Sequence, residues 1–105
     1  MEEIRVVMLE ARPLPDSPDF GEVAGAFVNV YCTADTDATA LNLASSEITQ
    51  QGWVVLSVEG QHVMSRSEAQ SSPDTLAYYE QTLIDGVVLV FHNFPHGGEE
   101  PEPVH

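Results

Sequence analysis

Two segments near the start of the chain have the hydrophobic pattern of β-strands. Residues 4–11 are rich in β-branched side chains, which predicts a strand. This strand is expected to end before the proline-rich stretch 13–18, whose composition is typical of turns and loops. Residues 23–33 alternate, which predicts a half-buried strand. One side of this second strand carries Val28, Val30 and Cys32, and the other carries Phe27, Asn29 and Tyr31.

The pattern then changes to the period of an α-helix. A first helix is predicted over 37–51, capped by Asp35 or Thr36 and ended by Gly52. A second begins at Ser72-Pro73 and ends at Gly86. The predicted buried stripes are Ala38, Leu41, Ala44 and Ile48 in the first helix and Leu76, Tyr79, Leu83 and Ile84 in the second.

Each predicted helix is followed by a strand. Residues 53–59 alternate, and Gly60 is expected to bend this strand or turn it towards 61–64. Residues 66–72 are predicted to be a polar loop. The last strand, 87–91, is five apolar residues in a row, a pattern typical of a central strand covered on both faces.

This order of elements predicts an α+β domain over residues 1–95. We expect a two-layer sandwich with two helices on one face of a four- or five-stranded, mainly antiparallel sheet. The β-α-β-(β)-α-β core resembles the ferredoxin-type arrangement with an additional N-terminal strand, a resemblance of topology that implies no function. Residues 96–105, acidic and rich in proline and glycine, are expected to be a disordered tail.

Charge limits the partners that the chain can have. Its 105 residues include 17 acidic side chains and three basic ones, for a formal net charge of −14. Such a surface repels phosphate backbones and anionic lipid, so we expect no nucleic-acid and no membrane partner. Phosphate loops and Gly-x-Ser-x-Gly turns are also missing from the sequence.

The compartment is predicted to be the reducing cytoplasm. Cys32 is the single cysteine, which excludes an intrachain disulfide. The first residues carry acids where a secretory signal carries bases, and no apolar run approaches the ~18 residues that span a bilayer.

Large apolar side chains on one side of the predicted sheet are the first candidate contact surface. If Phe27, Tyr31, Trp53 and Val55 share the face opposite the helices, a homodimer packed sheet to sheet or edge to edge would cover them. Alternatively, the N-terminal segment and the proline-rich loop cover them within one chain. RNA-binding sheets stack bases on such aromatics, but residues 23–64 contain no lysine or arginine.

The histidines and the cysteine do not form a recognisable chemical motif. His92 and His96 are four apart, but they follow a strand and flank Pro95, so helical metal-ligand geometry does not apply. Cys32 is predicted to be buried and inert unless His62 or His92 lies beside it. We therefore expect no metal, no cofactor and no catalytic residue.

The favoured function is a non-enzymatic interaction or regulatory module, similar in physics to inhibitors and immunity proteins, that binds a basic protein surface. The alternative is a ligand-binding protein or enzyme of the dimeric ferredoxin-like type. Its pocket, between sheet and helices, would be lined by Tyr31, Trp53, His62, Tyr79 and His92.

A third interpretation treats the acidity as an adaptation to high salt, without bearing on partners. It predicts that the melting temperature rises markedly in molar salt, because screening relieves repulsion among the acids. A thermal melt followed by circular dichroism with and without salt checks this, and an unchanged melting temperature would exclude it.

Overall fold

The computed structural model describes residues 3–18 and 20–95, and the predicted tail 96–105 lies outside them. The elements along the chain are β1 (Glu3–Pro13), β2 (Val23–Cys32), α1 (Asp37–Gln50), β3 (Trp53–Ser65), α2 (Arg66–Ala69), α3 (Pro73–Asp85) and β4 (Val87–Pro95). The described strands form one antiparallel sheet in the order β3-β1-β2-β4. The α+β class and the antiparallel sheet are confirmed, whereas the ferredoxin-type layout is not.

The helices lie on opposite faces of this sheet. On β1, Val7 and Leu9 pack into a core with α1, while Ile4 and Val6 pack into a second core with α2 and α3. Successive side chains of a strand point to opposite faces, so the two sets define two surfaces. We call them the α1 face and the α3 face. The expected two-layer sandwich is therefore a three-layer one.

The sequence of β1 explains why both faces are covered. Within residues 4–9 only Arg5 is charged, so both sides of the strand carry apolar groups that must leave water. Arg5 is accommodated at the start of α1: its Nη1 donates to Asp37 Oδ1 at 2.6 Å, and its Nη2 donates to the Asp35 carbonyl at 2.8 Å. These two contacts connect the first turn of α1 to the sheet, beside the core packing of Ala40, Ala44 and Ile48.

The last strand does not occupy the position that its composition predicts. β4 lies at an edge of the sheet and pairs only with β2. Its apolar run is explained by cover on both faces, since Leu89 and Phe91 pack against the α1 core while Val88 and Val90 pack against the α3 core. The apolar run therefore indicates that both faces of β4 are covered, and it does not indicate a central position in the sheet.

At the other edge, β3 is one continuous strand, so of the two outcomes expected at Gly60 the turn is absent, while an irregularity in the pairing lies directly before this glycine. Two irregularities interrupt its pairing with β1, because Glu59 and Leu56 have no opposite residue in the register. At Gly60 an added Cβ would lie 2.9 Å from Met8 Cε, so the missing side chain makes room for the methionine tip.

The helix ends follow the sequence signals closely. Thr36 Oγ1 accepts a hydrogen bond from the Thr39 N–H, and Ser72 Oγ accepts one from the Thr75 N–H, both at 3.1 Å. Gly52 and Gly86 have φ of 85° and 89°, the left-handed conformation that ends a helix. The segment expected to be a polar loop contains the short helix α2, whose capping box joins Ser65 and Glu68.

The buried stripes of the helices differ in part from those predicted. In α1 the buried residues are Ala40, Ala44 and Ile48, and Ala38 is exposed. In α3, Tyr79 is buried as expected, but Ile84 is 76% exposed. Thr82 is buried although no burial was predicted for it. The Thr82 hydroxyl donates to the Tyr78 carbonyl at 2.6 Å, so this buried polar group has a hydrogen-bond partner.

No helix among the described residues is both long enough and apolar enough to cross a membrane.

We predict that Gly86→Ala lowers the free energy of unfolding by about 1 kcal/mol or more, because its φ of 89° strains any residue with a Cβ. No atom lies within 4 Å of the Cβ position, so steric contact is not the cause. Gly21→Ala is the matched control, since Gly21 also has open space but no positive φ. Urea denaturation of both variants measures the difference, and equal effects would contradict the conformational explanation.

Candidate functional site

The α3 face is covered at one end only. Helices α2 and α3 pack over Ile4, Val6, Tyr31 and Met64, at the end where β1 begins. At the other end Phe27 remains 48% exposed, although it is a large apolar side chain in the middle of a strand. We call this region, with Glu10, Arg12, Phe27, His92 and Phe94, the open end of the α3 face.

The strand register places these residues in two rows across the sheet. In the first row Glu10 lies opposite Phe27, and Phe27 lies opposite His92. In the second row Gly25 lies opposite Phe94. Arg12 follows Ala11, whose partner is Ala26, so it comes beside Gly25. Directly opposite residues share a face, which brings the five side chains together.

Gly25 determines where the ring of Phe94 lies. A Cβ on this glycine would be 2.9 Å from Phe94 Cζ and 3.0 Å from the Ala11 carbonyl oxygen, so the ring packs directly over the glycine backbone. The centroid of the Phe94 ring is 5.8 Å from that of Phe27, with the planes tilted by 50°. The result is an aromatic pair at the surface, held in place by the sheet beneath it.

A groove adjoins this aromatic pair. It has a volume of about 350 Å³ and is formed by the end of β1, the following loop and the start of β2. Leu14 and Phe20 in its wall are 37% and 43% exposed. Arg12 lines the groove and also belongs to the open end, so the two features form one surface.

Arg12 is the one arginine that makes no ion pair with the described residues. Arg5 is paired with Asp37, and Arg66 Nη1 lies 3.1 Å from Glu80 Oε2. The Arg66 guanidinium also lies over the ring of Tyr79, 5.1 Å from its centroid. Arg12, which is exposed, is therefore the cation most available to a partner.

The four apolar residues expected to share one face do not do so. Phe27 and Tyr31 lie on the α3 face, whereas Trp53 and Val55 lie opposite Pro13 and Ala11 and thus on the α1 face. Alternation separates the two sides of β3 but cannot tell which side meets which helix. Trp53 is 3% exposed, and its ring is 5.0 Å from that of Phe91, so it is a core residue.

The residues of the alternative pocket are likewise dispersed. Trp53 is on the α1 face, while Tyr31 and Tyr79 are buried in the core on the α3 face. His62 is exposed on β3, and His92 is exposed beside Phe27, four residues along β4 from the row of Tyr31. The placement of these five residues therefore gives a ligand pocket between sheet and helices no support.

The residues that sequence reasoning missed are Glu10, Arg12, Leu14, Phe20 and Phe94. The signal for Phe94 was present, because Val88, Val90, His92 and Phe94 continue one alternation to the end of β4. Glu10 and Arg12 could be found only from the register between β1 and β2.

No group of three or more His, Cys, Asp or Glu side chains within residues 3–18 and 20–95 could hold a metal ion. His96 lies outside that part of the chain. Cys32 is a buried free thiol within the α1 core.

A scan against protein-family models finds no match, and no curated protein or solved structure is detectably similar to the chain. Function must be argued from the surface itself.

The buried phenol of Tyr31 gives the fold a pH dependence. Burial raises the pKa of this side chain above its ordinary value of 10.0, and a hydrogen bond with Asn29 opposes that rise in part. Its ring is 5.5 Å from that of Tyr78, which packs against the same core.

We predict that stability falls as the pH rises above about 10, because the unfolded chain then loses the Tyr31 proton more readily than the folded chain. The stabilisation is complete below the unfolded pKa and is lost as the pH rises through the folded pKa. Tyr31→Phe should flatten this decline, whereas Tyr78→Phe should retain most of it, because burial raises the pKa of Tyr31 more than the neighbouring Tyr78 does. Denaturant unfolding at several alkaline pH values measures the effect, and an equal decline in Tyr31→Phe would contradict it.

Proposed function

We propose that the protein is a non-enzymatic interaction module, of inhibitor or immunity type, that binds a basic protein surface through the open end of the α3 face. The observation that carries the proposal is the surface pair of the exposed Phe27 and the half-buried Phe94 beside Glu10, in a chain with a net charge of −14. The features of this surface support the proposal in three steps.

First, the aromatic pair is suited to a protein contact. Aromatic side chains in a well-packed setting are common energetic centres of interfaces. Gly25 and the sheet already hold the Phe94 ring in place, so binding orders few additional side chains. The neighbouring groove offers about 350 Å³ for an apolar side chain of the partner.

Second, the charges favour a cationic partner. An arginine or lysine placed on the exposed ring of Phe27 would gain a cation–π contact and would also reach Glu10 in the same row. The negative field of the whole chain would speed the encounter and would repel acidic competitors.

Third, Arg12 sets the orientation of the partner. This cation lies one row from Glu10, at the mouth of the groove, and repels any basic group placed there. A partner therefore fits best with its basic group over Phe27 and its apolar groups towards Arg12. Such a pattern of attraction and repulsion gives specificity as well as affinity.

We also propose that the protein self-associates as a homodimer and works in the cytoplasm. The net charge opposes self-association over most of the surface, so two copies need an uncharged region of contact. Cys32, buried and free, suits a reducing compartment.

We expect beads carrying the full chain to retain basic proteins from the native cell lysate at low salt and to release them as the salt is raised. Phe27→Ser should weaken binding of a retained protein by about 30-fold or more, as loss of a central aromatic contact does. Ile84→Ser is the matched control, because Ile84 is 76% exposed on α3 and lies outside the open end.

Two charge variants test the orientation. Glu10→Gln should weaken binding and Arg12→Gln should strengthen it, as isothermal titration calorimetry with the purified partner would show. Retained proteins that are acidic, salt-insensitive retention, or equal losses in the two serine variants would each contradict the proposal.

A further inference from the structure

The outer edge of β4 has no neighbouring strand among the described residues. It runs in unbroken register along β2 from Cys32↔Val87 to Val28↔Phe91 and beyond. Residues 87–94 contain no Asp, Glu, Lys or Arg. Edge strands are usually protected by lysine, proline or bulges, and none of these occurs between Val87 and Phe94.

The other edge of the sheet is protected in the usual way. β3 carries its two irregularities at Leu56 and Glu59, with Gly60 following directly. Such bulges disrupt the regular row of backbone groups that another strand would need. The two edges of the sheet therefore differ in whether their outward backbone groups form a regular row, and an added strand needs such a row.

The backbone groups that face outwards on β4 can be identified. The Thr33 N–H donates to the Gly86 carbonyl at 3.2 Å, so this carbonyl points towards β2. In a trans peptide the following N–H points the opposite way, which directs the N–H of Val87 to the free edge. Because the direction alternates along a strand, the N–H and C=O groups of Leu89 and Phe91 also face outwards.

The side chains next to this edge are only partly covered. Leu89 and Phe91 on the α1 face and Val88 and Val90 on the α3 face are all half-buried. An added strand of the same composition would extend both cores at once, since each face would gain apolar neighbours. The β4 strand of a second copy of the chain has this composition and can pair in antiparallel orientation.

We infer that two copies of the chain pair β4 with β4 around a two-fold axis, joining their four-stranded sheets into one continuous sheet. Antiparallel pairing of a strand with itself matches each outward N–H with an outward C=O, which is the self-complementarity that a two-fold interface requires. The free edge is also an uncharged approach for two molecules that each carry a charge of −14. This inference rests on the self-association included in the proposed function.

Amide hydrogen exchange measured by NMR tests the pairing within the full chain. At protein concentrations where sedimentation shows a dimer, the amides of Val87, Leu89 and Phe91 should exchange at least about tenfold more slowly than in the dilute monomer. The amides of Val88 and Val90, which pair with β2, should be protected at both concentrations and serve as the internal control.

Charge and salt supply a second measurement. Asn93→Asp adds an acid beside the free edge of each copy and should weaken dimerisation roughly fivefold, because two molecules that are already strongly acidic then bring one more negative charge each close to the contact. Asn42→Asp makes the same change on the exposed side of α1 and should have little effect. Added salt should strengthen the dimer, whereas it should weaken binding of a basic protein.

The outcomes separate this inference from the proposal on which it rests. A dimer in which the Val87, Leu89 and Phe91 amides exchange freely would overturn the β4 pairing while leaving self-association intact. A chain that stays monomeric at high protein concentration in molar salt would overturn both. Neither result bears on the binding of a basic partner through Phe27, which the Phe27→Ser, Glu10→Gln and Arg12→Gln variants test separately.

Discussion

The structure depends on one strand that serves two cores. β1 pairs with β2 on one side and with β3 on the other, and its alternate residues pack against helices on both faces. A slip of one residue would exchange the two sets of side chains and would also move Arg5 away from Asp37. Each set packs against its own helices, so the register of β1, the placement of the helices and the ion pair depend on one another.

The elements themselves were largely predictable because their signals are local. A capping hydroxyl such as that of Thr36 or Ser72 acts within three residues, and a helix stop at Gly52 or Gly86 needs only a backbone conformation that glycine adopts without strain. The short helix α2 escaped prediction because its capping box at Ser65 was hidden within a serine-rich stretch that also suits a loop.

The arrangement of the elements could not be predicted in the same way, since it depends on which residues meet across strands. Alternation in β3 puts Trp53 and Val54 on opposite faces of the sheet, but it does not indicate which helix covers each face. The apolar run of β4 suits a strand with two covered faces, whether it lies in the centre or at an edge. The open end of the α3 face is harder still, because Glu10, Phe27 and His92 come from three strands and become neighbours only through the register.

The path of the chain between β3 and β4 has a consequence for folding. These strands are consecutive in sequence but lie at opposite edges, so the chain crosses the whole sheet with α2 and α3 before β4 can pair with β2. The hairpin of β1 and β2 involves the most local strand contacts, and contacts between distant segments form more slowly. Until β4 arrives, the apolar outer edge of β2, including Val28 and Val30, is itself open. The interval between these two events is when a newly made chain most needs protection from aggregation.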